Sequence, residues 1–330
     1  MPLINSLESG VTALKSFTKG IDVIGNNIAN VNTVGYKASR VDYSETFSNT
    51  LQRSVAGSGD QGNTVTMQVG SGVKLGDIRS RFTQGTLSDT SVPTDFAISG
   101  EGFFVVKDAA NQADYATRAG NFREDNSGYL VTSQGFRLQG MGGGMPTYEV
   151  TVDSSGNPVF TRTGSTAPAT QGDIAVNVEI SVGNGIINNT GGTFTDAELN
   201  NHVEKPGVTG FEVSHDGNII INTSDGKSFQ SGTVLLTNFT DPQALVHSGN
   251  GLFTNWEAAG VLNGGNLDVS NNTPSLTGLG SIGSGKLELS NVELTEEFAN
   301  IITMQRSFQA GARIVTTSDS ILEEVVNLKR

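Results

Sequence analysis

Cysteine is absent from the 330 residues, so the chain has no disulfide, no thiolate metal site and no thiol nucleophile. Charge is sparse and lopsided. Only 16% of residues are charged, and 33 acidic against 20 basic side chains leave a net charge of -13, which argues against a phosphate backbone or an anionic lipid surface as partner. Aromatic residues make up only 7%. No apolar run of about 18 residues could span a bilayer. The first residues, Met1 to Gly20, carry no basic patch leading into a compact apolar block with a small-residue cleavage site, so no secretory signal peptide is expected. Glycine, by contrast, is abundant, 42 of 330 residues against a usual share of about 7%. That suits turn-rich β structure. The length exceeds one typical domain, so two or three folded units are expected.

The two ends of the chain differ from its middle. At the N-terminus Leu3, Leu7, Leu14, Phe17, Ile21, Ile24, Ile28 and Val31 recur in alternating steps of three and four, with Gly10 in the one missing place. This is a heptad seam with Glu8, Lys15, Lys19 and Asp22 off the stripe. At the C-terminus Leu294, Phe298, Ile301, Phe308, Val315, Leu322 and Val326 repeat the alternation, interrupted by Gln305, Ala312 and Asp319. Ser290-Asn291 and the carboxylates after Thr295 mark its start, and Lys329 and Arg330 supply cations for its end. Two long single-stripe helices cannot bury their seams alone, so they are expected to pack against each other or against copies of themselves. Between them the period is two. Ile174, Val176, Val178 and Ile180 alternate with polar residues, as do Tyr148, Val150 and Val152, while Phe103-Phe104-Val105-Val106 and Val234-Leu235-Leu236 read as buried strands. Asn126-Ser127-Gly128, Ser155-Gly156-Asn157, Asp216-Gly217-Asn218 and Asp225-Gly226 read as hairpin turns. Composition shifts at 54–62, 140–144 and 255–284 suggest an inserted β domain over 141–210, with 71–140 and 211–285 folding together as another.

Little of the sequence points to reaction chemistry. His202, His215 and His247 are scattered without the spacing of a zinc helix, so no metal site is expected. Asp125 to Gly128 and Asp153 to Gly156 look like calcium loops only superficially, since neither continues to a glutamate at the twelfth loop position. The adjacent pairs Glu296-Glu297 and Glu323-Glu324 project about 100° apart on a helix and cannot flank one substrate bond. Both pairs read as solvated-face charges, and neither an enzymatic activity nor a cofactor is expected.

What is specific is a set of ordered blocks. Asn26-Asn27-Ile28-Ala29-Asn30-Val31-Asn32-Thr33-Val34-Gly35-Tyr36-Lys37 closes the first helix with amides, then a turn glycine, then an extended segment. Gly100-Glu101-Gly102-Phe103-Phe104 follows, then Tyr115 to Phe122, Gly128 to Thr132, Ser290 to Leu294, and Met304-Gln305-Arg306-Ser307-Phe308. These blocks closely resemble the flagellar rod and hook protein family. The resemblance implies a mainly β fold in hairpin-rich outer domains, with long N- and C-terminal α-helices forming a coiled-coil inner domain (1–31 plus 291–330) that lines a tube, and a linker segment (32–70 plus 286–290). It implies a self-assembling helical polymer in the flagellum, exported through the type III apparatus without a cleaved signal. Flagellar rod, hook cap and hook–filament junction proteins are the implied partners, with no nucleic acid and no membrane insertion. Leu322 to Arg330, with Asn327-Leu328 shortly before the terminal arginine, and Asn238 to Leu245 look like the hook branch of the family. The length and the insertion exceed what the distal-rod branch usually needs, so a hook role is expected, with distal rod as the alternative.

Overall fold

A computed structural model describes residues 2–54, 63, 65–144, 146–152, 158–165, 167–168, 170–176, 208–224, 226–262, 269–276 and 278–328. The stretch 55–62, the turn Ser155-Gly156-Asn157, Asp225, Val178, Ile180, His202, Lys329 and Arg330 lie outside the described residues. The chain divides into two compact units, Met1–Asn32 with Lys37–Thr83 and Ser290–Arg330, and Thr33–Tyr36 with Gln84–Leu289.

The first unit holds the long helices α1 (Pro2–Ala29) and α2 (Leu294–Leu328) together with strands β1 (Ser39–Glu45), β2 (Ser48–Gln52), β3 (Met67–Gly70) and β4 (Val73–Ser80). β1 pairs antiparallel with β4 and β2 with β3. The β1–β4 ladder leans on α1. Ser16 Oγ donates to the Val73 carbonyl at 3.3 Å, the Phe17 and Tyr43 rings meet edge-on at 6.0 Å, and Gly72 lies so close to Ser9 and Thr12 that a Cβ there would overlap the Thr12 hydroxyl. Composition groups 71–83 with the following β domain. The structure places it here, because β4 finds its backbone partners in β1.

In the second unit the strands are β5 (Leu87–Asp89), β6 (Phe96–Ser99), β7 (Phe103–Lys107), β8 (Asp114–Thr117), β9 (Arg123–Glu124), β10 (Leu130–Val131), β11 (Arg137–Gly142), β12 (Pro146–Val152) and β13 (Pro158–Ser165). They continue with β14 (Thr170–Asp173), β15 (Val208–Val213), β16 (Asn218–Thr223), β17 (Ser228–Val234), β18 (Leu236–Thr237), β19 (Val246–Gly249), β20 (Leu252–Thr254), β21 (Ser281–Ser284) and β22 (Lys286–Glu288). The main sheet runs β15-β16-β17-β11-β7-β8-β20-β19 and is antiparallel throughout. Its core gathers Phe96, Ile98, Phe104, Val106, Leu130, Leu138, Ile174, Ile219 and Leu236. β7 is covered on both faces, Phe104 and Val106 in that core and Val105 against Leu235, Met141 and Trp256. This is why it reads as an unbroken apolar run.

The insertion is narrower than 141–210. β14 pairs with β11, and the amides of Ile174 and Val176 donate to the carbonyls of Leu138 and Gly128. Buried Ile174 and Val176 belong to the same core as Leu130 and Leu138, so 170–176 stays with the main sheet. Only the β12–β13 pair stands as a separate two-stranded ladder among the described residues of this segment.

Candidate functional site

α1 and α2 run antiparallel along each other. Ser6 Oγ meets Ser318 Oγ at 3.3 Å, Gly10 faces Val315 and Gly311, Leu14 rests on Gly311, Gly20 faces Met304, and Asn27 Nδ2 donates to Glu297 Oε1 at 3.0 Å. On α2 the facing row is thus Glu297, Met304, Gly311 and Ser318, each seven residues from the last. Apart from Met304 it is a row of small or polar residues, and glycine on both helices lets the backbones approach. A Cβ on Gly10 would stand 2.9 Å from Val315 Cγ2, and one on Gly20 would run into Tyr43 Oη.

The sequence pattern, which follows hydrophobicity, selects Leu294, Ile301, Phe308, Val315 and Leu322 with Phe298, Gln305 and Val326 on their far side. The structure differs in the second row. Glu297, Gly311 and Ser318 are buried, whereas Phe298, Gln305, Asp319 and Val326 face outward. A row of Glu, Met, Gly and Ser, with one apolar member in four, carries little apolar signal, so periodicity could not single it out. On α1, Ile24 is buried and Leu7, Leu14, Phe17, Ile21 and Ile28 are half-buried; on α2, Ile301, Val315 and Leu322 are half-buried and Leu294, Phe298 and Phe308 exposed. Phe47, just before β2, and Leu51, Met67 and Val69 of the β2–β3 pair are also exposed. Scattered exposed leucines need no explanation, but an apolar surface running along one helix marks an interaction site.

Polar residues fix the end of the helix pair. Asn27 is buried; its Nδ2 also donates to the Ser39 carbonyl at 2.8 Å, and its Oδ1 accepts from the Ser39 amide at 2.9 Å. Asn30 Nδ2 donates to the Asn26 carbonyl and to Asn26 Oδ1, closing the last turn of α1. Asn291 accepts from the Ala38 amide at 2.7 Å and donates to the carbonyls of Arg81 and Thr83. Lys37 is buried with Nζ donating to the Thr83 carbonyl at 2.9 Å. The solvated-face reading of Glu296-Glu297 holds for Glu296, which is exposed and lies 3.5 Å from Arg81, but not for Glu297. The 100° between neighbours sends one carboxyl out and the other in.

Burial raises the Glu297 carboxyl above its ordinary value, against the smaller lowering effect of the Asn27 hydrogen bond. A raised folded-state value in an acid means that its stabilising contribution is present below the unfolded carboxylate range and is lost as pH rises through the folded value. E297Q keeps an acceptor for Asn27 and removes the ionisation. The variant is therefore expected to melt at or above the wild-type temperature at neutral pH, with the gap closing near pH ~4. A wild type that is the more stable of the two at neutral pH overturns this.

The motif residues Gly35, Tyr36, Gly100, Gly102, Phe103 and Phe104 lie in the second unit. Gly35 has φ +67, and its amide donates to the Glu288 carbonyl at 2.8 Å. Tyr36 is buried. Gly100 and Gly102, at φ +115 and +122, flank Glu101 in the turn from β6 to β7. Phe103 stacks edge-on with Phe239 and Phe253, and Phe104 with Phe122. The sequence passes over Glu288, which is fully buried and accepts from the Gly85 amide at 2.8 Å and from Arg118 Nη1 at 3.4 Å, with the Arg118 guanidinium above the Phe103 ring. Gln305 and Arg306 are exposed on α2. Among the described residues no three His, Asp or Glu side chains gather into a group that could hold a metal ion.

A helix-ended β protein with an outward apolar helical surface is the class that this fold and site define. The comparisons with known proteins agree with that class. The C-terminal model of flagellar basal body rod FlgEFG proteins matches 284–328, the D1 domain model of flagellar hook proteins FlgE/F/G matches 97–221, and the flagella basal body rod protein model matches 7–37. The flagellar basal-body rod protein FlgG of Bacillus subtilis is 33% identical over 328 residues, covering 99% of this chain and 100% of that one. The flagellar hook protein FlgE of Borreliella burgdorferi is 26% identical over 450 residues, covering 99% and 100%. A crystal structure of the Helicobacter pylori flagellar hook protein FlgE2 superposes with a TM-score of 0.37 at 9% identity, covering 61% of this chain and 100% of that one. The chain belongs to the family of flagellar hook and basal-body rod axial proteins, whose members are structural proteins of the flagellum.

Proposed function

We propose that the chain is a structural subunit that polymerises helically, through α1 and α2, into the axial tube of the flagellum, and that it stands in the distal rod. The observation that carries the rod reading is co-linearity. Alignment with the rod proteins of Bacillus subtilis and Caulobacter vibrioides takes 328 residues end to end, whereas the hook proteins of Borreliella burgdorferi and Salmonella typhimurium need 450 and 427, far more than the 330 of this chain. Length, which by itself suggests a hook, therefore speaks for the rod. Subunits of this kind would reach the growing tip through the type III export apparatus and meet rod neighbours on one side and the hook on the other.

A second reading is the hook itself, a bendable joint passing torque from rod to filament. Asn238 to Leu245 and the terminal Asn327-Leu328 favour it. Its partners would then be the hook cap and the hook–filament junction proteins. Electron microscopy of basal bodies from cells lacking the gene separates the two. Rods that stop short of the outer rings are the expected result, and complete ringed rods without hooks would make this a hook subunit.

A further inference from the structure

With no cysteine in the chain, its sulfur chemistry rests on five methionines. Among the described residues these are Met67, Met141 and Met304. Met67 is exposed on β3, and Met141 packs against Val105 and Leu235. Met304 is placed differently. It is half-buried in the row of α2 that faces α1, and its Sδ accepts a hydrogen bond from the Tyr43 hydroxyl at 3.6 Å. Tyr43 belongs to β1, its ring meets Phe17 edge-on, and its hydroxyl lies where a Cβ on Gly20 would fall. Among the described residues the hydroxyl has no other hydrogen-bond partner. A phenol is a good donor and a thioether a weak acceptor, so the contact leaves most of the donor's capacity unused. Burial raises the Tyr43 hydroxyl above its ordinary value, which keeps its proton in place.

We propose that Met304 is a site of reversible oxidation by peroxide, and that the Tyr43 hydroxyl holds the resulting sulfoxide. In the step a sulfur lone pair attacks one oxygen of hydrogen peroxide, the O–O bond breaks and water leaves; sulfur is oxidised by two electrons and the peroxide is reduced by them. The weak acceptor thereby becomes a strong one. With sulfur 3.6 Å from the hydroxyl, a bent S–O···H–O bridge of about 2.7 Å fits between them. Methionine's unbranched, flexible side chain can turn the new oxygen toward Tyr43. Gly20 leaves the room for it, since Met304 Cε stands 3.5 Å from the place of the absent Cβ. Oxidation of a methionine packed only among apolar groups disrupts its surroundings. Here it exchanges a weak hydrogen bond between β1 and α2 for a strong one. The site concerns the single chain and stands apart from the axial-polymer reading.

Titration of the full-length chain with hydrogen peroxide, read by peptide mass spectrometry, is expected to add one oxygen to exposed Met67 first and to Met304 after it, and methionine sulfoxide reductases are expected to remove both. Met304 left unmodified when Met67 is fully converted overturns the site. The part of Tyr43 is read by oxidising M67L/M141L/M145L and the same chain carrying Y43F, and following helix melting by far-ultraviolet circular dichroism. Loss of the hydroxyl is expected to deepen the drop in melting temperature on oxidation by about 2–6 °C. Equal drops in the two chains overturn the hydroxyl's role. M304Q puts a carbonyl oxygen near the same place with no oxidant. It is expected to melt at or above M304L when Tyr43 is present and below it in the Y43F chain. M304Q melting equally far below M304L in both chains also overturns the pairing.

Discussion

Replacing Gly35 with alanine is expected to destabilise the second unit by about 2–5 kcal/mol, lowering its melting temperature by roughly 4–20 °C. Two costs combine. At φ +67 an L-residue is strained by its own Cβ. That Cβ would also stand 2.6 Å from the Ala119 amide nitrogen and 2.7 Å from the Arg118 carbonyl carbon. Both atoms are backbone and neither can swing aside. Gly25 is the internal control. It is exposed within α1, a Cβ there would meet nothing within 4 Å, and G25A is expected to stabilise the helix by about 1 kcal/mol. Near-ultraviolet circular dichroism during thermal unfolding reads both, and a G35A transition within a degree or two of wild type would sink the argument.

R118L is expected to be comparably severe, about 3–5 kcal/mol or roughly 6–20 °C, because it takes the guanidinium away from the buried Glu288 carboxylate. Arg118 and Glu288 are 4% and 0% exposed, 3.4 Å apart. Burial pulls the guanidinium below its ordinary value, and Glu288 pulls it back. The pair is imperfect, since Arg118 Nε has no hydrogen-bond partner among the described residues. That imperfection makes a sharper test. R118L/E288Q removes both charges while the glutamine oxygen still accepts from the Gly85 amide, so most of the loss should return. A double variant as unstable as R118L would mean that the arginine contributes through its guanidinium lying over the Phe103 ring and not through its pairing with Glu288.

Both residues lie in blocks visible in the sequence, yet their roles were legible to different degrees. Gly35 follows a capped helix and precedes an extended aromatic segment, so a turn could be read locally. Arg118 could be placed in a family block, but nothing near it in sequence points to Glu288, which lies 170 positions away. The same division runs through the fold. The helices and strands β7 and β12 follow from periodicity because the sequence is apolar at every second place or throughout. Pairing β1 with β4, and returning β14 to the main sheet, depends on which backbone edge is free, and side-chain patterns do not record that. The inner row of α2 was illegible for a related reason. Close approach selects against bulk, and Gly311 and Ser318 stay outside any apolar pattern until Gly10 and Ser6 are set opposite them.

That close approach has a mechanical consequence. Sliding α2 by one heptad along α1 would set Met304 against Asn27 and strand the Glu297 carboxyl away from its amide donor, and the opposite slide would also part that pair and press Met304 on Gly10. A buried carboxyl or amide left without its partner costs about 1–3 kcal/mol or more, and the steric misfit adds to it. The helix pair therefore has no neighbouring register of similar energy into which it can creep. Under a load along its axis it answers as a strut, stiff until it shears, with Asn27 as the pin.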